Sequence, residues 1–414
     1  MVLNGDSLKH GLYGIGGLYN YGCEAIVRGT TKILRQFNPY ASICYFTPRV
    51  EDDARRIADL DIEVHQITPG HRSVPLKAVN KIAQRLCIPF DSTREDYSAV
   101  LGNTDLLVSI GGDIYTIPAH LRERAKYPYF NRLVRMGQLA HERGIPEIVI
   151  GASIGPFGEY RPAVEYYADH LRDLALILCR EQRSVTYLDS IGVRDNVCLM
   201  PDPAFFVESM DTEDVWGSAE YLGINLSPLA LREINGTETE GDVAQFAGLI
   251  SKLMDQTGLR AMLVPHVLSP DPHDNDLDFL KKVASAMDGA HRSRTEVVEP
   301  KGFLDAKRYL RSCRMVVAAR MHCAVNAICE GVPTILLSYS QKAMGMCEFV
   351  YRSDRWALPL GDATENLPAR LAELEGCAET VHSDLLGRIR QIREESFGSE
   401  PFVRLATVLS SERA

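Results

Sequence analysis

Short runs of consecutive apolar residues recur along the chain. Between them lie longer stretches whose apolar positions repeat every three or four residues. The first pattern predicts strands buried on both faces, the second amphipathic helices, and their alternation marks parallel α/β architecture. Strands are predicted at 9–13, 41–47, 62–67, 105–110, 146–153, 175–179 and 196–200, with helices at 23–36, 75–86, 129–143, 162–173 and 183–191. A second series places strands at 221–227, 260–266, 296–300, 315–319 and 334–339 and helices at 240–256, 273–288, 303–311, 321–331 and 341–350. Between the two, "PDPAFFVESMDTEDVWGSAE" (201–220) is rich in proline and acid and follows neither period.

The expected fold is therefore two Rossmann-like doubly wound α/β domains facing across a cleft. The N-terminal domain is expected over 1–205, a linker over 206–220 and the C-terminal domain over 221–395. A C-terminal tail, 396–414, is expected to pack back on the N-terminal domain. At 414 residues the chain exceeds what one hydrophobic core usually serves, which agrees with two domains. In open sheets of this kind ligands bind beyond the carboxyl ends of the strands. Residues that directly follow strands are thus the candidates for function.

A net charge of −10 excludes a general affinity for nucleic acid but leaves room for one small basic pocket. The opening "MVLNGDSLK" lacks the apolar core of a signal peptide, and no run approaches the roughly 18 apolar residues of a membrane span. The expectation is a cytoplasmic protein without a transmembrane segment. No pair of the ten cysteines has C-x-x-C spacing, and most sit in apolar runs, as buried reduced thiols do. Cys323 and Cys329, six apart on a predicted helix, do not share a face, so no metal site is expected.

"YGIGGLYNYGCEAI" (13–26) follows the first strand and precedes a helix, where a phosphate cradle would sit. It fails both common fingerprints: Tyr19 stands where G-x-G-x-x-G needs glycine, and Cys23-Glu24 stand where a P-loop needs lysine and a hydroxyl residue. Two readings stay open. The loop closes the first β-α unit, or Gly14, Gly16 and Gly17 let a ligand approach the backbone while Asn20 and Glu24 offer polar contacts. "LLVSIGGDIYT" (106–116) repeats the logic with a small-residue floor of Ser109, Gly111 and Gly112. Its Asp113 either caps the next segment or accepts a proton or hydrogen bond from a substrate hydroxyl.

Cations gather at strand ends. Arg180 ends the strand in "ALILCREQRS", Arg320 and His322 follow "MVVAA", and Lys342 follows "TILLSY". Cations at helix N-termini are disfavoured by the macrodipole, so a small anionic ligand explains them better than stability does. Arginine offers a planar fork to carboxylate or phosphate, lysine a compact charge, and histidine a proton exchangeable near neutrality. "LVPHVLSPDPHDND" (263–276) carries His266, Asp271, His273, Asp274 and Asp276. Their irregular spacing reads as a solvated loop and helix cap, or else His266 touches the ligand from its strand end.

With these segments in view, the sequence resembles the polysaccharide pyruvyl transferase family. The resemblance rests on "GIGGLYNYGCEAI", "SIGGD", "CREQRS" and above all "AARMHCAVNAICEGVPTILLSYSQK", and it extends from about residue 10 to 350. It departs from the family pattern at Cys23 and at Glu181. What the resemblance implies is a GT-B-like fold and transfer of pyruvate from phosphoenolpyruvate to a sugar as a cyclic ketal, in cell-surface polysaccharide biosynthesis. Carried over by position, Arg180, His322 and Lys342 would hold the donor, Arg320 would help bind it, and His322 would be the general acid. Asp113 and Glu24 are the candidates for the base on the sugar hydroxyl, and Gly14, Gly16, Gly17, Asn20, Glu24, Gly111, Gly112 and His266 are candidate substrate contacts, with the N-terminal domain expected on the acceptor side and the C-terminal domain on the donor side. No cofactor is implied beyond phosphoenolpyruvate as donor substrate. The acceptor would be a sugar, lipid-linked or part of a polysaccharide, consistent with a cytoplasmic enzyme peripheral to the inner membrane face. The alternatives are a GT-B glycosyltransferase with a nucleotide-sugar donor and an inactive sugar-binding relative.

Overall fold

All five residues of "LLVSI" (Leu106–Ile110) and all six of "EIVIGA" (Glu147–Ala152) are buried, because each strand runs between parallel neighbours and under packed helices. The structure is a computed structural model that describes residues 8–67, 79, 82, 96–117, 131–209, 215–236, 239–338 and 342–411. Most of the predicted helix 75–86, and the side chain of Lys342, lie outside the described residues.

Two units divide the chain. The first takes the described residues within Met1–Leu18, Ile26–Pro203 and Ser396–Ala414, the second those of Tyr19–Ala25 and Ala204–Glu395. In the first unit the strands are β1 (Lys9–Tyr13), β2 (Ser42–Thr47), β3 (Glu63–Gln66), β4 (Leu106–Ile110), β5 (Glu147–Ala152), β6 (Leu176–Cys179) and β7 (Val197–Leu199). They form one parallel sheet in the order β3-β2-β1-β4-β5-β6-β7. The second unit holds β8 (Tyr221–Asn225), β9 (Arg260–Leu263), β10 (Thr295–Val297), β11 (Cys313–Ala318), β12 (Thr334–Ser338) and β13 (Ala357–Pro359), ordered β10-β9-β8-β11-β12-β13. In both sheets the order reverses beside the first strand, which is the doubly wound Rossmann arrangement. Each switch point, between β1 and β4 and between β8 and β11, opens a crevice at the carboxyl ends.

Local chemistry sets the element ends. The helix Glu240–Thr257 starts at a reciprocal Thr239–Asp242 capping box and stops at Gly258, whose φ of 72° is left-handed. The predicted strand 221–227 ends early, at Asn225, because Ser227 and Pro228 initiate the helix Pro228–Asn235. Gly151 (φ 69°) marks the register shift in the β5–β6 pairing, a bulge that only glycine forms without strain. It directs the backbone of Ala152 and Ser153 toward the end of β6, where the Arg180 amide donates to the Ala152 carbonyl at 3.2 Å.

The helix Glu400–Ser411 packs on β6 and β7 of the first unit. β13 and the helix Ala363–Gly376 of the second unit were not predicted. Among the described residues no helix is long and apolar enough to cross a membrane.

Candidate functional site

Each unit carries its own cluster of chemistry-bearing residues at the carboxyl edge of its sheet. In the first unit the centre is Arg180, directly after β6. Its Nη1 donates to Asp202 Oδ2 at 2.9 Å, its Nε to Ser153 Oγ at 3.0 Å and its Nη2 to the Gly112 carbonyl at 3.0 Å. Asp113 lies 3.6 Å from Nη2 with half of its side chain exposed. Burial pushes the guanidinium toward losing its charge, but the Asp202 and Asp113 carboxylates more than reverse this and hold it above its ordinary value. A Cβ on Gly112 would stand 3.1 Å from Arg180 Nη2, so the glycine makes room for the fork. Gly111 (φ 147°) turns the chain there.

The predicted small-residue floor is only partly a floor. Ser109 is fully buried and donates to Glu147 Oε1 at 2.5 Å, in a cluster completed by Tyr115 and His170. The reason is strand parity: Ser109 points into the layer beneath β4, not out at its end. Gly14 (φ 129°) packs its α-carbon against the Ile110 carbonyl, and its own carbonyl accepts from Arg132 Nη2 at 2.9 Å. Gly16 is exposed with open space around it, and Gly17 (φ 151°) continues the turn.

In the second unit the segment Tyr19–Ala25 joins the ends of β9 and β11. Asn20 bridges Val267 and accepts from the Gly22 amide at 2.9 Å, which starts the helix Tyr21–Phe37. The Tyr21 amide donates to the His266 carbonyl at 3.0 Å, and its hydroxyl donates to the Pro300 carbonyl. Glu24 is 1% exposed and accepts from the Phe303 amide at 2.9 Å, capping the helix Phe303–Arg311. Asn20 and Glu24, predicted as ligand contacts, are thus helix-initiating and helix-capping groups. Glu24 is too buried to act as the base on a substrate hydroxyl.

Arg320 is the N-cap of the helix Met321–Ile328, which also carries His322 in its first turn. Its amide donates to Asn225 Oδ1 at 2.9 Å, tying β11 to β8 across the switch point. Its Nη2 donates to Asp276 Oδ1 at 2.8 Å and to Asp274 Oδ1 at 2.5 Å, while Nε reaches Asp276 Oδ1 at 3.1 Å. Asp276 is fully buried and also accepts from the His266 and Val267 amides. Burial pushes its carboxyl up, against the pull of Arg320. For Arg320, burial pushes toward neutrality, and Asp276 and Asp274 hold it above its ordinary range. The acid-rich loop is therefore no solvated turn at Asp276. Asp271 does act as predicted, accepting from the His273 amide at 2.9 Å.

His322 is half-buried, and its Nδ1 edge lies against Gly22: a Cβ there would sit 2.4 Å from Nδ1. His266, predicted to touch the ligand, is 1% exposed and edge-on to Tyr21 and Phe303, with ring centroids at 5.5 and 6.0 Å. Among the described residues neither of its ring nitrogens has a hydrogen-bond partner. Burial, then the charges of His322, Arg320 and Lys307, hold its pKa well below the usual histidine range. It is a neutral wall behind the cations rather than a surface contact.

Two buried groups central to these clusters carried no periodic signal. Asp202, between Pro201 and Pro203, neutralises Arg180; Lys307, in the helix Phe303–Arg311, sits 3.0 Å from Glu330. A lone acid between prolines just past a strand is the one trace Asp202 leaves in the sequence.

Solved structures with the same fold include the Anabaena protein Alr3699/HepE in complex with UDP and glucose (TM-score 0.56, 12% identity, 98% of this chain and 100% of that one). Others are the UDP-GlcNAc 2-epimerase of Neisseria meningitidis bound to UDP-GlcNAc (0.55, 10%, 98% and 99%) and Medicago truncatula UGT71G1 complexed with UDP-glucose (0.54, 11%, 100% and 99%). At such identities the likeness shows the fold alone: two Rossmann-like domains of the GT-B type. No curated protein sequence matches the chain. The family profile described as polysaccharide pyruvyl transferase matches residues 20–341, a span that contains Asp113, Arg180, Asp202, Arg320 and His322 and ends one residue before Lys342. Since that span is most of the chain, the protein belongs to the polysaccharide pyruvyl transferase family.

Proposed function

We propose that the protein transfers the pyruvyl unit of phosphoenolpyruvate to a sugar as a cyclic ketal. Family membership supports the reaction class. The observation that carries the reading is the pairing of Arg320 with His322 at the start of one helix, with the arginine fixed by a fully buried aspartate. An arginine locked in one orientation stays in place while the neighbouring histidine exchanges a proton.

In the proposed sequence, His322 protonates the methylene carbon of the donor, which becomes the methyl group and leaves cationic character on the adjacent carbon. One sugar hydroxyl attacks that carbon, the bond to the phosphate oxygen breaks, and a second hydroxyl closes the ketal. Two hydroxyl protons are released: one restores His322, the other leaves with phosphate. Arg180 and Lys342 are proposed as donor contacts and Arg320 as a positioned cation whose field stabilises the anionic donor and departing phosphate. Asp113, half exposed beside Arg180, is proposed as the group that takes one hydroxyl proton and passes it to the departing phosphate. The scheme uses no metal or organic cofactor. The acceptor is proposed to be a sugar, free, lipid-linked or within a polysaccharide, reached from the cytoplasm.

Incubation of the full chain with phosphoenolpyruvate and a panel of sugars, followed by phosphate release, tests this. Release that requires both a sugar and His322 is expected. Tight binding of a nucleotide sugar, with neither binding nor turnover of phosphoenolpyruvate, would replace the reading with that of a glycosyltransferase.

A further inference from the structure

A second cluster of reactive groups lies at the far edge of the first sheet, in residues that the proposed reaction does not use. Parallel pairing sets Cys44 of β2 directly beside Glu63 of the edge strand β3, and Phe46 beside His65 two residues on. Because side chains alternate, Cys44, Phe46, Glu63 and His65 share one face of the strand pair. His65 Nε2 lies 2.9 Å from Glu63 Oε2, and Cys44 Sγ lies 3.9 Å from the same oxygen. All three donor atoms fall within 4.8 Å of one another. The Phe46 ring stacks on His65 at 5.4 Å and fixes the imidazole plane. The sulfur is buried, whereas Glu63 is largely and His65 about one-third exposed, so the group opens to solvent on one side only.

We propose that Cys44, Glu63 and His65 form a three-ligand zinc site on the β2–β3 edge, with water in the fourth position. Thiolate, imidazole and carboxylate together are the donor set of a borderline-soft ion, not of calcium or magnesium. With zinc–sulfur bonds of about 2.3 Å and zinc–nitrogen or zinc–oxygen bonds of about 2.0–2.1 Å, tetrahedral geometry needs donor separations of about 3.3–3.6 Å. The two separations to Glu63 Oε2, 2.9 Å from His65 and 3.9 Å from Cys44, differ from these by less than about half an ångström. The sulfur and the imidazole nitrogen lie within 4.8 Å of each other and would draw together on the ion. Binding replaces the S–H bond by a Zn–S bond, and the proton leaves to solvent. Burial, and next the Glu63 carboxylate, push the Cys44 thiol up to about 11, with Lys9 and a hydrogen bond from Ser42 opposing them in part. The charge of the ion would be what displaces the proton. The ion would join β3 to β2 at the edge of the sheet, where β3 has no strand beyond it among the described residues.

The test uses the full chain, stripped of metal by chelator and titrated with Co²⁺ as a visible probe. A thiolate-to-cobalt charge-transfer band that saturates at one ion per chain and is bleached by Zn²⁺ is expected. Cys44→Ser should abolish the band. Glu63→Ala and His65→Ala, both at exposed side chains, should each weaken binding by about tenfold or more. Zinc should also raise the unfolding temperature of the wild-type chain and slow amide exchange over residues 63–66, and do neither in the Glu63→Ala/His65→Ala double variant. The proposal is overturned if no such band forms, if it survives Cys44→Ser, or if the two exposed substitutions leave affinity unchanged. This readout is independent of sugar or phosphoenolpyruvate turnover.

Discussion

Asp276 and Arg320 form a buried ion pair in which one carboxylate oxygen receives both Nη2, at 2.8 Å, and Nε, at 3.1 Å, of the guanidinium. The aspartate is fully buried and its other oxygen is occupied by the His266 and Val267 amides, so the pair has one geometry. Removing Asp276 leaves Arg320 with Asp274 alone, at 2.5 Å, and takes the acceptor from the buried His266 and Val267 amides. Asp276→Ala is therefore expected to cost about 1–3 kcal/mol of stability, more than loss of an exposed ion pair. Asp276→Asn, which keeps the shape and part of the hydrogen bonding, should cost less. Denaturant titration of the two variants checks this; equal, small losses would mean the pair contributes little.

Arg180 and Asp202 make the corresponding prediction in the first unit. Asp202→Ala leaves a buried guanidinium with a weak, half-exposed partner in Asp113, and a loss of about 3–5 kcal/mol is expected. Arg180→Lys should not rescue function, since an ammonium cannot serve Asp202, Ser153 and Gly112 together in one plane. Thermal unfolding and phosphate release measured side by side separate the two effects.

His322→Gln is expected to lower turnover by about 10²–10⁴-fold while leaving stability nearly unchanged, as befits a half-buried proton donor. Gly22→Ala probes the same ring from behind. The new methyl would stand 2.4 Å from His322 Nδ1, so the imidazole must shift. A displacement on that scale should cost up to about 100-fold in rate with little change in donor affinity. Wild-type turnover in Gly22→Ala would remove His322 from the reaction.

The buried Glu147–His170 pair predicts an unusual pH response. Burial raises the Glu147 carboxyl from 4.5 to about 7, and burial lowers His170 from 6.5 to about 3. Glu147 alone would lose stability as pH rises through 7, and His170 alone would lose it as pH falls from 6.5 toward 3. Between pH 4.5 and 6.5 the folded chain holds one proton on Glu147 and the unfolded chain one on His170, so this pair gives no slope. Below pH 4.5 the unfolded chain binds one proton more and stability falls. In Glu147→Gln the compensation is gone. The variant should gain stability relative to wild type by about 3 kcal/mol as pH rises from 4.5 to 6.5. Parallel unfolding curves for the two proteins across that range would refute the assignment.

The strands of both sheets were legible because parallel strands buried on both faces must be continuous apolar runs, as in "LLVSI" and "MVVAA". β13 escaped because its short run ends on Pro359, which reads as a break rather than as strand. Arg180, Arg320 and His322 were singled out because each charge directly follows such a run; the structure gives both arginines buried carboxylate partners. Those partners were not legible. Asp202 lies in an aperiodic stretch and Asp276 opens the helix Asp276–Ala286, where an acid reads as an ordinary first-turn charge, and nothing local distinguishes a buried acid from a solvated one. Glu24 misled for the opposite reason: it sits in a glycine-rich loop, but its partner, the Phe303 amide, is 279 residues away. The Cys44, Glu63 and His65 group was invisible to any spacing rule, since its donors meet across two strands whose pairing is a tertiary fact.

The helix Glu400–Ser411 belongs to the unit whose sheet begins at β1. During synthesis, β6 and β7 therefore leave the ribosome some two hundred residues before the helix that covers them, as the 206-residue span from Cys198 to its Arg404 partner shows. An apolar sheet face must wait through the translation of nearly half the chain. Arrested or truncated chains would expose that face, which makes a stop codon shortly after Glu395 a stronger aggregation hazard than its position near the end suggests.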